Sequence, residues 1–138
     1  MIELNPAHNT NTTPPRSLLP EFLPVVEKTK LLYSSWIVIH RKIPRTERFG
    51  IGLRIDNAFL DLLTALRRAS FSELKQKIPI LDIAIVKIDD IRFFLQILWE
   101  NRLMSNEQYV SFGTEIETIG KNVGGWKKEI LKKTSTPK

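Results

Sequence analysis

The sequence predicts an all-α protein, an up-down-up-down four-helix bundle. Three observations carry that prediction. Apolar residues recur at spacings of three and four through three long segments, around residues 55–69, 81–98 and 109–130. Prolines and capping residues (Pro44, Pro79, Ser105) punctuate the chain between periodic stretches. The length of 138 residues leaves room for one domain and one core.

Residues 1–22 read as a flexible arm. Asn, Thr and Pro dominate it, as in Asn9-Thr10-Asn11-Thr12-Thr13-Pro14-Pro15, and no apolar periodicity is present. The bundle spans 23–133, and 134–138 read as a disordered tail. The first helix starts near Pro24, a favoured first-turn residue, and runs to about Lys42. Val26, Thr29, Tyr33, Trp36, Ile37 and His40 form its stripe, widened by Leu32, Ile39 and Ile43.

A basic corner follows. In Arg41-Lys42-Ile43-Pro44-Arg45-Thr46-Glu47-Arg48-Phe49-Gly50, four of ten residues are Arg or Lys. Pro44 removes a backbone donor and biases Ile43 away from helix. Thr46 offers an N-cap hydroxyl, and Glu47 places negative charge in the next first turn. The second helix therefore begins near Thr46 or Phe49 and runs to about Ala69. Ile55, Phe59, Leu62, Leu66 and Ala69 make its seam, with Ala58 and Leu63 beside them. Gly50 and Gly52 weaken its first turns.

The third helix is expected from about Pro79 to Arg102. Its seam is Leu81, Ala84, Ile88, Ile91, Leu95 and Leu98, but Ile80, Ile83, Ile85, Phe93, Phe94, Ile97 and Trp99 occupy other faces. The helix is apolar over more of its circumference than a four-helix monomer covers, so a neighbouring copy is expected on it. β-Branched residues between Ile78 and Ile91 would also suit a strand pair. The 3–4 spacing and the charges at Lys87, Asp89 and Asp90 favour helix. The fourth helix opens on a capping box, Ser105-Asn106-Glu107-Gln108. Tyr109, Phe112, Ile116, Ile119, Val123, Trp126 and Ile130 form its heptad seam. Gly113, Gly120 and Gly124 flank that seam. Each costs roughly 1 kcal/mol against Ala, so close approach of a neighbouring helix is the expected benefit.

The formal charge is +6 and the sequence pI about 9.7, which points to polyanionic partners. The excess is localised. Residues 41–54 carry a net of +4 and residues 121–138 a net of +5, while residues 55–120 sum to −3. In an up-down bundle the corner lies at one end, and Arg67, Arg68, Lys75 and Lys77 lie at the other. The last helix returns Lys127, Lys128, Lys132 and Lys133 to that second end. Two basic poles over a more acidic waist are expected.

The absence of cysteine excludes disulfides, Cys-ligated zinc and thiol catalysis, and fits a cytoplasmic protein. No apolar run approaches the ~20 residues of a membrane span, and residues 1–13 lack a secretory pattern. His8 and His40 form no metal-binding pair. Asp82 and Asp89 share a face but read as a solvated or ion-paired surface before a magnesium site. Gly50-Ile51-Gly52 lacks the Gly and Lys of a phosphate loop. Trp36, Trp99 and Trp126 fall on or near apolar seams, so packing outweighs base stacking as their role. No catalytic constellation, metal or cofactor is expected, and the chain reads as a non-enzyme.

Three strings carry a resemblance over about residues 24–131. They are Ile43-Pro44-Arg45-Thr46-Glu47-Arg48-Phe49-Gly50, then Leu95-Gln96-Ile97-Leu98-Trp99-Glu100 with Met104-Ser105 and Gln108-Tyr109, then Ile119-Gly120 with Gly124-Gly125-Trp126. Together they resemble a four-helix-bundle superfamily with two branches. One is the accessory variability determinant of diversity-generating retroelements. The other is the set of proteins encoded by intervening sequences in bacterial large-subunit ribosomal RNA genes. The first branch implies a basic, barrel-shaped homopentamer that binds a reverse transcriptase and nucleic acid in mutagenic retrohoming. On that reading the phosphate contacts are Arg41, Lys42, Arg45, Arg48, Arg67, Arg68, Lys127, Lys128, Lys132 and Lys133, and the bundle assembles into a ring-like homo-oligomer. The alternative is an oligomeric protein-interaction scaffold of the second branch. A small enzyme is a distant third, for want of a convergent polar cluster.

Overall fold

The computed structural model describes residues 23–135. The expected arm and residues 136–138 of the tail lie outside the described residues. Within them the protein is all α: α1 (Leu23–Lys42), the single turn α2 (Arg45–Arg48), α3 (Ile51–Phe71), α4 (Leu74–Glu100) and α5 (Asn106–Ser135). α1 packs on α3 and α5, and α4 packs on the same two helices. The order around the four-helix bundle is thus α1, α3, α4, α5. α1 and α4 lie on a diagonal and run in the same direction.

The core is built from the predicted seams. On α3, Ile55, Phe59, Leu62, Leu66 and Ala69 are all fully buried. On α4 the same holds for Leu81, Ala84, Ile91 and Leu98, with Ile88 and Leu95 almost so. α5 contributes Phe112, Ile116, Ile119, Val123 and Ile130, while Tyr109 and Trp126 are partly covered at its flanks. Burial of each large side chain is worth about 1.5–3 kcal/mol, so these layers hold the helices together. The α1 stripe centres on Leu32, Trp36, Ile39 and Ile43 rather than on Tyr33, Ile37 and His40, which are half-buried. Thr29, mid-helix and buried, donates its hydroxyl to the Val25 carbonyl at 2.7 Å.

Three boundaries differ from the sequence expectation. Thr46 does not cap a helix. Pro44 occupies the cap of α2 with extended ψ, and Thr46 lies exposed inside that turn. α3 then restarts after Gly50. α4 begins at Leu74, before Pro79, so the proline is carried inside the helix. Gln76 and Lys77 both donate backbone N–H groups to the Glu73 carbonyl, closing the first turn. The buried Lys77 ammonium donates to the Ala69 carbonyl and ties that turn to the end of α3. At the other end, α5 continues through Thr134 and Ser135, past the expected boundary at 133.

α4 ends in a Schellman arrangement. Leu103 N–H donates to the Leu98 carbonyl at 2.8 Å, and Arg102 N–H to Trp99 at 3.1 Å. Arg102 takes the left-handed conformation there, with φ 63°. The capping box of α5 forms as expected. Ser105 N–H donates to Gln108 Oε1 at 3.0 Å, and Gln108 N–H to Ser105 Oγ at 3.1 Å.

The glycines divide. A Cβ on Gly52 would lie 2.9 Å from the His40 ring and 3.2 Å from the Glu47 carbonyl oxygen, so only glycine admits this approach of α1 to α3. Gly113 and Gly124 have nothing within 4 Å of a built Cβ, which removes the close-approach explanation for them. Two substitutions are therefore expected to stabilise the chain, Gly113→Ala by about 1 kcal/mol and Arg102→Gly by roughly 0.5–1 kcal/mol through relief of the left-handed backbone. Urea denaturation of each variant checks both.

Candidate nucleic-acid interface

The basic corner is held by a polar lattice beneath it. Trp36, fully buried on α1, stacks on His40 with centroids 5.0 Å apart and planes 18° apart. His40 Nε2 lies 3.2 Å from the Arg48 carbonyl oxygen. A carbonyl only accepts, so Nε2 carries the proton and His40 pins α2 from below. Asp56 of α3 lies 3.9 Å from His40 Nδ1 and accepts the Tyr33 hydroxyl at 2.9 Å. These contacts join α1, α2 and α3 at the corner and set the direction of its cations.

Arg41, Lys42 and Arg45 are exposed on this corner, and Arg45 lies over the exposed Phe49 ring at 5.9 Å. Arg48 is half-buried, with its Nε enclosed and unbonded, so it supports the corner more than it reaches outward. Arg102 is exposed in the α4–α5 turn, which the topology places at the same end.

The opposite end is set by contacts between helices. Lys77 of α4 reaches the Ala69 carbonyl at the end of α3, and Asp82 of α4 pairs with Lys127 of α5. The last turn of α3, the first turns of α4 and the last turns of α5 therefore lie together. Arg67 and Arg68 flank an open depression with Phe71 and Ser72. Lys75, Lys128, Lys132 and Lys133 are exposed at this end. Lys77 is drawn inside by the Ala69 carbonyl, and Lys127 is half-buried and held by Asp82.

The waist differs in kind. Arg92 bridges Asp89 at 3.2 Å and Glu117 at 3.3 Å, Lys87 takes Asp61, and Lys30 takes Glu27. Such exposed pairs add little stability, of order 0–1 kcal/mol, but they neutralise the middle of the bundle. Among the described residues no carboxylate pairs with Arg41, Lys42, Arg45, Arg67, Arg68, Lys128 or Lys133. Of the ten cations the sequence points to, these seven stand ready for phosphate. They form two groups at opposite ends, not one patch.

Sequence reasoning passed over Phe49 and Phe71, exposed aromatics beside Arg45 and Arg67–Arg68. Their signal was adjacency to arginine at a helix end. Of the tryptophans, Trp36 is core, and Trp99 is partly exposed but stacked on Tyr109 at 4.8 Å and bonded to Asn106. Among the described residues no group of three metal-binding side chains gathers. No described helix is long and apolar enough to cross a membrane.

No family model matches the chain. None of the curated proteins matches it. Among solved structures, a protein of unknown function from the S23 ribosomal protein family of Bacteroides thetaiotaomicron superposes with a TM-score of 0.72. The identity is 17%, over 78% of this chain and 98% of that one. At that identity the likeness shows the fold, a helical bundle of the same kind.

Burial, the Asp56 hydrogen bond and the Asp56 charge, in that order, raise the Tyr33 pKa from 10.0 to about 12. An acid whose folded pKa is raised stabilises the fold while protonated. That contribution is complete below pH 10 and is lost as pH climbs through 12. Tyr33→Phe is expected to cost about 1 kcal/mol at neutral pH and to flatten the stability profile above pH 10. Denaturant midpoints across that range check it.

Proposed function

We propose that the chain is a non-enzymatic accessory protein of a diversity-generating retroelement. It assembles as a ring-like homo-oligomer, a pentamer on the family resemblance, and binds template RNA or its cDNA together with the reverse transcriptase in the cytoplasm. One observation supports this reading above the others. Among the described residues Arg41, Lys42 and Arg45 at one end, and Arg67, Arg68, Lys128 and Lys133 at the other, have no carboxylate partner, while Lys87, Arg92 and Lys127 are paired between helices. Unpaired, exposed Arg and Lys meet phosphate without first breaking an ion pair. Repetition of each pole around a ring would add weak contacts through multivalency. The chain offers no base-reading motif, so recognition rests on charge and backbone shape.

A second reading has its own support. The solved neighbour carries a ribosomal-protein family name, which favours the branch encoded within ribosomal RNA genes and an oligomeric scaffold role. Neighbouring genes separate the two. A reverse transcriptase with template and variable repeats supports the first, and a ribosomal RNA operon supports the second.

Lys42→Glu/Arg45→Glu and Arg67→Glu/Arg68→Glu are each expected to weaken single-stranded RNA binding about 10-fold at 100 mM salt. Each lost phosphate contact lowers the salt slope by about 0.7. Fluorescence anisotropy over a salt series reads both. Affinity that stays flat with salt, or is unchanged in both variants, overturns the nucleic-acid reading.

A further inference from the structure

α4 carries a second apolar seam on the side away from the core. Ile83, Val86 and Phe93 are 46%, 54% and 59% exposed, and Asp90 and Ile97 continue their line at the same three-four spacing. α1 has an outward line too, with Leu31 70% and Val38 49% exposed, and the small Ser34 between them. α1 and α4 are the diagonal pair, so the two seams look out of opposite sides of the bundle. From this placement we infer that the α4 seam of one copy seats on the α1 seam of the next, head to tail. The inference rests on the ring-forming reading above and names the surfaces that would build the ring.

The levels of the seams support the pairing. Arg54 of α3 lies over Phe94 of α4, and Asp56, two residues further along α3, meets Tyr33 and His40 of α1. Val38 is thereby level with Phe93. Leu31 is seven residues before Val38, as Val86 is before Phe93, so that pair is level as well. The two seams also run parallel. A head-to-tail contact closes into a ring when it carries no shift along the bundle axis and turns each copy by a whole fraction of a circle, and a shifted one grows a filament. The matched levels meet the first condition.

Polar groups agree in sign and place. Among the described residues no cation pairs with Asp90, and Ser34 lies at its level on the opposing seam. By the same register Glu100, at the end of α4, lies level with Arg45, just beyond the end of α1. A two-fold α4–α4 contact would instead bring the Asp90 carboxylates of both copies toward one axis, and would leave Leu31 and Val38 bare. Like charges facing each other across an interface are costly.

The chain has no cysteine, so crosslinking has no background. Leu31→Cys/Val86→Cys, mildly oxidised, is expected to give a ladder of covalent multimers that ends in one closed species, while neither single variant links beyond a dimer. Val38→Glu and Phe93→Glu, both at exposed positions, are each expected to reduce the assembly to single chains. Mixed in equal amounts, they regain one intact junction and run at twice the 16.0 kDa chain mass. That dimer also shows that both variants fold. Retained assembly in Val38→Glu, absence of the ladder, or a monomer whose α4 face is covered by its own residues 1–22 overturns the inference. If it falls while Lys42→Glu/Arg45→Glu still loses RNA, the phosphate-binding reading stands without this interface.

Discussion

α4 is apolar on two opposite sides, and most of the molecule follows from that. Its inner seam, from Leu81 to Leu98, meets both α3 and α5. Packing at this seam sets the diagonal arrangement of α1 and α4. A bundle of four helices covers the inner side and nothing more. The outer line of Ile83, Val86 and Phe93 remains in contact with water, at a cost of order 25 cal/mol for each Å² of apolar surface left uncovered. Residues at heptad spacing on an outer face suit the packing of a further helix, which the proposed assembly would supply.

The charge distribution follows from the same topology. Up-down connectivity sends the α1–α3 corner to one end and the tail of α5 to the other. Along the waist, Arg92 finds Glu117 and Lys87 finds Asp61 on the neighbouring helix. Among the described residues Arg41, Lys42, Arg45, Arg67, Arg68, Lys128 and Lys133, out at the ends, have no acid paired to them. Their lack of partners is a geometric result of being at the ends, and it leaves them available to phosphate. The corner adds rigidity. Trp36, His40, Asp56 and Tyr33 fix its backbone, and Gly52 lets α1 approach closely enough to do so.

The seams of α3, α4 and α5 were legible in the sequence because their period is local and each lies within one helix. The capping box at Ser105 was legible for the same reason. The corner was not. Thr46 looked like a cap, but Pro44 had already opened a separate turn, and a choice between two nearby starts turns on tertiary packing. Pro79 looked like a helix start, yet α4 begins five residues earlier, at Leu74, stabilised by Lys77 reaching the end of α3. Gly113 and Gly124 were given a packing reason that the structure does not contain. The cations were countable in sequence, but their availability was not. Lys127, Lys77 and Arg48 are occupied or enclosed through contacts that depend on cross-helix register or on how the corner folds back. Phe49 and Phe71 were not singled out in the sequence and prove to be exposed rings beside arginines.

A basic end surface would gain its strength from an assembly that repeats it. Light scattering of the unmodified protein, with and without a short single-stranded RNA, tests that union most directly. The expected mass alone is a fixed multiple of 16.0 kDa that does not vary with concentration. With RNA, the mass rises by whole strands per assembly. A single-chain mass at every concentration, unchanged by RNA, would contradict both claims at once.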